Sequence, residues 1–355
     1  TEAVEAFKYV QNSCADEPVA SAELSNENTV SWIFPQGYDD MLRLCYRIGG
    51  SGFVDCGMGY RMRVGEITDV VSMVGASDRV VIGIPKTFAL EGSWIQKNDE
   101  VFYSVNTLST ETVLVSDNAT FTLSLTEPTT TEPMTMNYRF NTMPIKTYSF
   151  SITQLYVSSV TMSGETGYGV VGKSMTAVLN GNGFTSADSM WFVESSESCE
   201  EETTLATVTM TVTSTTTLNA QFVFSAAAAG KSVKLCYAFD MEGAVAVSEP
   251  LYVMDFNSVV VSGDSSVNVA VANQEKTVVL TGEGLRSGDV VSFHTTSDCS
   301  SVGVATFPVI SENGVFTTTY LFTAGSNGAS YTFCYHYGSS ADNVVAYPAF
   351  NVAVK

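Results

Sequence analysis

The cysteines carry the clearest chemical pattern in this sequence. Seven are present, and six recur in one arrangement, in which the first of each pair follows a phenylalanine by six or seven positions and the second directly precedes a tyrosine. Such regularity is typical of disulfides formed in an oxidising compartment, although six reduced core thiols in a cytosolic protein are the alternative. The sequence therefore predicts a secreted or cell-surface protein with three intradomain disulfides, Cys14–Cys45, Cys199–Cys236 and Cys299–Cys334.

The remaining cysteine and the carboxylates were considered as metal ligands. Cys56 lies outside the pairing, so it is either a buried thiol or a link to another chain. No CxxC spacing occurs, which argues against a zinc site. Carboxylates could bind Ca²⁺, but none has the alternating ligand spacing of an EF-hand loop, so solvated loops and no metal site are expected. The candidates are Asp39, Asp40, Glu194, Glu197, Glu200, Glu201 and Glu202.

Catalytic residues are scarce. Only two histidines are present, His294 and His336, and both lie on predicted strands, where structural roles are expected. No nucleophile-elbow, zinc-protease, phosphate-loop or dinucleotide motif occurs. A carbohydrate-active enzyme would need two carboxylates in a cleft. We therefore expect neither an enzyme nor a cofactor.

Two surface segments are candidates for glycosylation. Asn118-Ala119-Thr120 is an N-glycosylation sequon next to a predicted turn. The Thr- and Pro-rich stretch TEPTTTEP is either a polar hairpin loop or a site of O-glycosylation, with Thr129, Thr130 and Thr131 as the acceptors.

The elements that position these residues are strands. Apolar residues make up 45% of the 355-residue chain, and they occur in short alternating runs broken by Gly, Asn, Asp and Ser, which indicates an all-β protein. The segment KSVKLCYAFD recurs as ASYTFCYHYG, DMLRLCYRIG and MPIKTYSFS, with anchors about 100 residues apart, the length of one immunoglobulin-like domain. These anchors are Cys45, Thr147, Cys236 and Cys334.

The repeat predicts tandem immunoglobulin-like β-sandwich domains. The second of them has lost both cysteines. The tyrosine after each anchor should point away from the interior, because the disulfide sulfurs are expected inside the sandwich; these are Tyr46, Tyr148, Tyr237 and Tyr335. The predicted domains are 1–68, 69–154, 155–254 and 255–355.

A second repeated element precedes the anchors. LNGNGFTSADSMWFV and LTGEGLRSGDVVSFH each contain a strand, a glycine-centred turn and a second strand with an aromatic residue. Both resemble the opening of IPT/TIG immunoglobulin-like domains, and LEGSWI in the second domain resembles it with Trp94 in place of the second glycine. The resemblance implies a module of cell-surface receptors and large ectodomains, or of DNA-binding factors.

Charge selects between these classes. The net charge is −21, and such a surface repels nucleic acid and anionic membranes. No run reaches the roughly 18 apolar residues of a membrane span, so we expect no membrane insertion of this segment.

The first domain lacks the part that corresponds to about 255–291, which holds two strands. The chain begins at Thr1, so we expect a processed product or a piece of a longer polypeptide. Either that polypeptide or a strand from a neighbouring subunit would cover the open sheet. The leading interpretation is an extracellular structural or adhesive rod. It would join copies of itself or other surface proteins head to tail into a filament, appendage or surface layer. The alternative is a receptor or glycan-binding ectodomain, with Tyr38 and Trp94 stacking on sugars.

Overall fold

The computed structural model of the chain is almost entirely β-strand. The chain divides into two compact units, residues 1–155 and 156–355. No helix in the part of the chain that the structure describes is long and apolar enough to cross a membrane. The described residues are 4–24, 30–48, 51–164, 166–200, 205–261, 268–300, 303–338 and 344–355.

The strands group into four modules. Module one contains β1 Val4–Val10, β2 Ser21–Leu24, β3 Val30–Ile33, β4 Tyr38–Ile48, β5 Val54–Asp55 and β6 Arg61–Val64. Module two contains β7 Glu66–Ser72, β8 Arg79–Val81, β9 Lys86–Ser93, β10 Glu100–Val105, β11 Leu108–Ser109, β12 Val113–Leu114, β13 Thr120–Leu123, β14 Met134–Arg139 and β15 Lys146–Met162. Module three contains the end of β15, β16 Tyr168–Val170, β17 Ser174–Asn182, β18 Ser189–Glu194, β19 Ala206–Ser214, β20 Thr217–Phe224, β21 Ser232–Ala238, β22 Ala244–Ala246 and the start of β23 Leu251–Val261. Module four contains the rest of β23, β24 Val269–Ala270, β25 Lys276–Glu283, β26 Val290–His294, β27 Ala305–Glu312, β28 Val315–Tyr320, β29 Ser330–His336 and β30 Val344–Val354.

Modules two, three and four are sandwiches of two sheets over an aromatic core. In module three, Phe192 on β18 meets Phe222 and Phe224 on β20, with ring centroids 4.9 and 4.8 Å apart. In module four, Phe293 on β26 packs at 5.0 Å against Tyr320 on β28. The alternating pattern thus folds as expected, because each sheet buries one side of its strands against the other sheet.

The glycines of the repeated element allow two strands to approach closely. A Cβ at Gly92, Gly181 or Gly282 would lie 1.9, 2.0 or 2.3 Å from a carbonyl oxygen of the first strand of its module. At the same point the pairing of the first strand skips a residue, which is a β-bulge. The second glycine position has positive φ in each module, at Gly183 and Gly284 and also at Trp94, where φ is 57°.

The predicted orientation of the tyrosines is wrong. Tyr237 and Tyr335 are fully buried, and their partners across the sheet, Met190 and Val291, also belong to the interior. Cys236 instead lies on the outer side of its sheet, in a separate small cluster with Trp191, Val193 and Cys199. Cys236 and Tyr237 point to opposite sides of the sheet and are nevertheless both buried, because the loop that carries Cys199 folds back over the outer side.

The assignment of the repeat in module two is also wrong. The strand equivalent to β21 and β29 is β14, in which Asn137 takes the cysteine position and Tyr138 that of the buried tyrosine. Thr147 lies on the neighbouring strand β15, directly opposite Asn137. The Asn137 amide donates to the Ser104 hydroxyl at 2.7 Å and accepts from the Thr147 hydroxyl at 2.8 Å. Hydrogen bonds therefore replace the disulfide in module two.

Candidate assembly surface

The described residues of module one do not include the strand that completes the equivalent sheet in the other modules. The strands β13, β20 and β28 each pair with a longer strand, β9, β17 and β25 respectively. Their equivalent in module one is β3, which pairs only with β2 among the described residues. One edge of β3 therefore presents unpaired backbone, which is a template for another strand.

The interior of module one is correspondingly open. Phe7 on β1 holds the inward position that Val101, Met190 and Val291 hold in the other modules, since each lies opposite the inward tyrosine. Those three side chains are 1%, 6% and 0% exposed, whereas Phe7 is 36% exposed. The core position that is buried in modules two, three and four is thus partly exposed in module one.

A groove of mixed polarity, which Lys8 and Glu17 also line, lies beside this opening. It has a volume of about 760 Å³, and Ile33 at its wall is 58% exposed. A groove with this lining, next to a free strand edge, has the features that strand addition uses: backbone pairing for affinity and a pocket for side chains. Its apolar lining is Phe7, Val19, Ala20, Ile33, Pro35 and Phe53.

The rest of the module-one core is closed. Tyr9 packs on Trp32 with ring centroids 4.8 Å apart, and Leu42 is fully buried. By strand register, Tyr9 and not Phe7 is the equivalent of Phe192. The sequence alignment that pairs Phe7 with Phe192 is therefore shifted by two residues.

The aromatic residues that were expected to bind sugars are used inside the first unit. Tyr38 is buried, and its backbone carbonyl accepts a hydrogen bond from the Trp94 indole N–H. The Arg63 guanidinium lies 4.2 Å from the centre of the Trp94 ring. The expectation that Tyr38 is exposed to stack on glycans is wrong, because it is buried, and Trp94 contacts residues of module one.

Comparisons with known proteins give no family for this chain. No family model matches the chain, and no curated protein matches it. Among solved structures, the N-terminal eight Ig domains of Down Syndrome Cell Adhesion Molecule cover 99% of the chain at 9% identity and a TM-score of 0.26; the chain spans 45% of that structure. The D1–D4 ectodomain fragment of ICAM-5 covers 99% of the chain, and the chain all of that fragment, at 9% identity and a TM-score of 0.26. The match to the solved structure of the Escherichia coli adhesin FdeC extends over 82% of the present chain and 98% of the solved FdeC chain. Its sequence identity is 13% and its TM-score is 0.25.

The cysteines and carboxylates have the following places. The three disulfides Cys14–Cys45, Cys199–Cys236 and Cys299–Cys334 are formed. Cys56 is a half-buried thiol, and burial, followed by the neighbouring Asp55 carboxylate, raises its pKa. Glu194 pairs with Lys231 at 2.7 Å. No group of three or more metal-ligating side chains occurs among the residues with described placement; Glu201, Glu202 and the side chain of Asp39 lie outside them.

A buried aspartate recurs in each complete module, and the sequence interpretation missed it. Asp99, Asp188 and Asp289 each follow the second glycine position by five residues and accept a hydrogen bond from an inward tyrosine hydroxyl. Each also accepts two backbone N–H groups, one from the turn before it and one from the turn after the tyrosine strand. The constant spacing was a signal that could have revealed it.

The two histidines converge in module four. Ser292 Oγ lies 2.7 Å from His294 Nε2 and 2.5 Å from His336 Nε2. Burial, followed by the proximity of His294 and Lys173, lowers the pKa of His336. The arrangement places two imidazoles beside one hydroxyl and holds no nucleophile–base–acid series among the described groups.

We expect this cluster to make module four sensitive to acid. Because the pKa of His336 is lower in the folded than in the unfolded chain, its contribution to stability is complete above the ordinary histidine pKa of about 6.5 and is lost as pH falls below it. The urea midpoint of module four should therefore decrease from pH 7 to pH 5. His336→Gln should flatten this decrease, and an unchanged pH profile in the variant would contradict it.

The predicted glycosylation residues differ in accessibility. Asn118 is exposed in the turn between β12 and β13. Thr129 Oγ1 accepts a hydrogen bond at 2.7 Å from the buried Gln154 amide, and Thr130 Oγ1 accepts one at 2.9 Å from the Glu132 backbone. Thr131 is exposed. Thr129 and Thr131 are exposed, whereas Thr130 is half-buried.

We expect Asn118 to be glycosylated when the chain passes through a secretory pathway. Peptide N-glycosidase should then reduce the intact mass by one glycan, and Asn118→Gln or Thr120→Ala should abolish the shift. Ser116→Ala lies in the same turn outside the sequon and should keep it. An enzyme-insensitive mass in the wild-type chain would refute the assignment.

Proposed function

We propose that this chain is an extracellular structural or adhesive protein, built from immunoglobulin-like domains 1–68, 69–154, 155–254 and 255–355, that joins end to end into a longer assembly. The observation that supports it best is the open sheet of module one, with an unpaired β3 edge and an exposed Phe7. The three disulfides agree with an extracellular location. The acidic surface disfavours the DNA-binding branch of the resemblance.

The occupant of the open edge is a β-strand. It is supplied either by a preceding segment of a longer polypeptide or by a neighbouring copy. In both cases the added strand hydrogen-bonds to β3 and covers Phe7. Each Å² of apolar surface that it removes from water stabilises the junction by about 25 cal/mol. Each junction then connects two consecutive parts of one linear object, which is the property that a filament, an appendage or a surface layer requires.

The proposal is tested by placing a charge in the groove. Ile33→Lys adds a cation at an exposed position of the groove wall, so it should preserve folding and weaken strand addition. Met58→Lys is the matched control, since Met58 is 77% exposed in the same module and does not line the groove.

Sedimentation velocity gives the readout. The wild-type chain should form concentration-dependent species larger than a monomer, Ile33→Lys should shift their distribution toward smaller species, and Met58→Lys should leave it unchanged. A synthetic peptide of an upstream segment that dissociates the assemblies and binds at β3 would identify the preceding polypeptide as the donor. Identical behaviour of the Ile33 and Met58 variants would reject the groove as the joining site.

A further inference from the structure

The strand β19 in module three is a long edge strand without the usual protection. It has nine residues, ATVTMTVTS, and pairs only with β20 among the described residues. Natural edge strands are shortened or carry charges, prolines or bulges that block pairing with another molecule. Apart from a bulge near its end at Val212, β19 has none of these, and its composition is that of a strand that pairs readily with others.

Module four closes the corresponding edge. In module four, β27 pairs with β28 on one side and with β26 on the other, so it joins the two sheets. In module two, the short strands β11 and β12 cover the edge of β10, and β13 ends the opposite sheet among the described strands. In module three, β18 pairs only with β21, and β19 only with β20, within the described ranges. Among the described strands, β2 in module one and β13 in module two also end a sheet, but each has only four residues, whereas β19 has nine.

The inward side chains of β19 are incompletely covered. Val208, Met210 and Val212 are half-buried, whereas their cross-strand neighbours Phe222, Ala220 and Leu218 are buried. A groove of about 320 Å³ runs beside them, and the buried Trp191 on its wall has an indole N–H without a hydrogen-bond partner. A further strand in the plane of this sheet would cover these apolar side chains.

The outer face of the same sheet carries hydroxyl and amide groups and no charge. Thr207, Thr209 and Thr211 are exposed on β19, with Gln221 on β20 and Thr176 on β17 in the same row as Thr209. Two copies of a chain with a net charge of −21 repel each other over most of their surface. Pairing through the uncharged face of β19 and β20 brings no like charges of these two strands together.

We propose that β19 is the edge through which two copies of this chain pair, strand to strand and antiparallel, so that the sheet of module three continues from one copy into the other. The alternating sequence is self-complementary, because antiparallel pairing of β19 with itself about Met210 places threonine beside threonine outside and apolar beside apolar residues inside. Such a two-fold contact is the commonest form of self-association. It is lateral and uses module three, so it goes beyond end-to-end joining through module one.

Charge-swap variants test the pairing. In the paired state Thr209 of one copy lies opposite Thr211 of the other, so Thr209→Lys with Thr211→Lys places like charges side by side and destabilises the contact. Thr209→Glu with Thr211→Glu does the same with negative charge. Each variant alone should dimerise at least about tenfold more weakly than the wild type, and an equimolar mixture should recover the dimer.

The controls separate this interface from folding and from end-to-end joining. Thr176→Lys makes the same change on the same face and row but two strands away from the edge, and it should leave dimerisation unchanged. Ile33→Lys should abolish end-to-end species and leave the β19 dimer. The lysine variant reduces the negative net charge, so a loss of dimer in it cannot come from greater overall repulsion.

Sedimentation equilibrium and hydrogen exchange provide the readouts. In the unmodified chain, exchange of the β19 amides should slow as concentration rises through the dimerisation range, which requires no variant. Dimerisation that survives both charge pairs, a mixture that stays monomeric, or β19 exchange that is independent of concentration in a dimerising chain would overturn the proposal. A wild-type chain that remains monomeric at millimolar concentration would overturn it as well.

Discussion

Asp289→Ala should destabilise module four by about 4 kcal/mol, because it leaves one buried and two half-buried donors without an acceptor. Asp289 is 1% exposed. It accepts the Tyr335 hydroxyl at 2.8 Å, the Arg286 backbone N–H at 2.8 Å and the Gly338 backbone N–H at 2.7 Å. The carboxylate therefore fixes the turn before β26 and the turn after β29 at one point. Its loss should lower one calorimetric transition of the chain and leave the others in place.

The tyrosine provides the matched comparison. Tyr335→Phe keeps the ring in the core and removes one of the three donors, so it should cost about 1 kcal/mol. In the double variant the two costs in unfolding free energy should not add. The tyrosine hydroxyl, which would lack an acceptor after Asp289→Ala, has been removed as well. A cost below about 1 kcal/mol for Asp289→Ala would show that the turns hold without the carboxylate.

Gly282→Ala should destabilise the same module by about 3 kcal/mol, through backbone displacement and not through loss of a contact. The new Cβ would lie 2.3 Å from the Asp255 carbonyl oxygen and 3.0 Å from the Phe256 Cα. Neither atom belongs to a flexible side chain, so β23 has to move away from β25 at the bulge. The movement breaks strand pairing that starts the module.

Gly325→Ala is the control for this steric effect. Gly325 lies in a turn of the same module, and the nearest atom to a Cβ there is 4.0 Å away. Urea unfolding should give a midpoint close to the wild type for Gly325→Ala and a clearly lower one for Gly282→Ala. Equal midpoints for the two variants would disprove the close approach of β23 and β25.

The sequence predicted the strands more accurately than the direction in which their side chains point. Glycine spacing and alternating apolar runs determine strands and bulges locally, so the repeated element and the inward side of β19 followed from the residues. The orientation of Cys236 and Tyr237 did not follow from the sequence, because both side chains are buried although they point to opposite sides of the sheet. The outer side is covered by a loop held through Cys199, and a loop has no periodicity from which its path could be read.

In module two, the sequence contained a signal for the buried tyrosine that the interpretation of the repeat did not use. NYRF at residues 137–140 aligns with CYAF at 236–239 and has the aromatic residue at the same offset, yet the missing cysteine directed the alignment to Thr147. A disulfide and a set of side-chain hydrogen bonds can stabilise the same place on a sheet, so cysteine is a weaker anchor than the buried tyrosine. The openness of β3 and β19 depends on which strands lie beside them, and strand neighbours are set by distant segments.

The most direct test of end-to-end joining is electron cryomicroscopy of the chain under conditions in which it assembles. The account predicts continuous density for an additional strand that pairs with the free edge of β3 and covers Phe7. Density in which β3 faces only solvent while the chains are nevertheless joined elsewhere would contradict it.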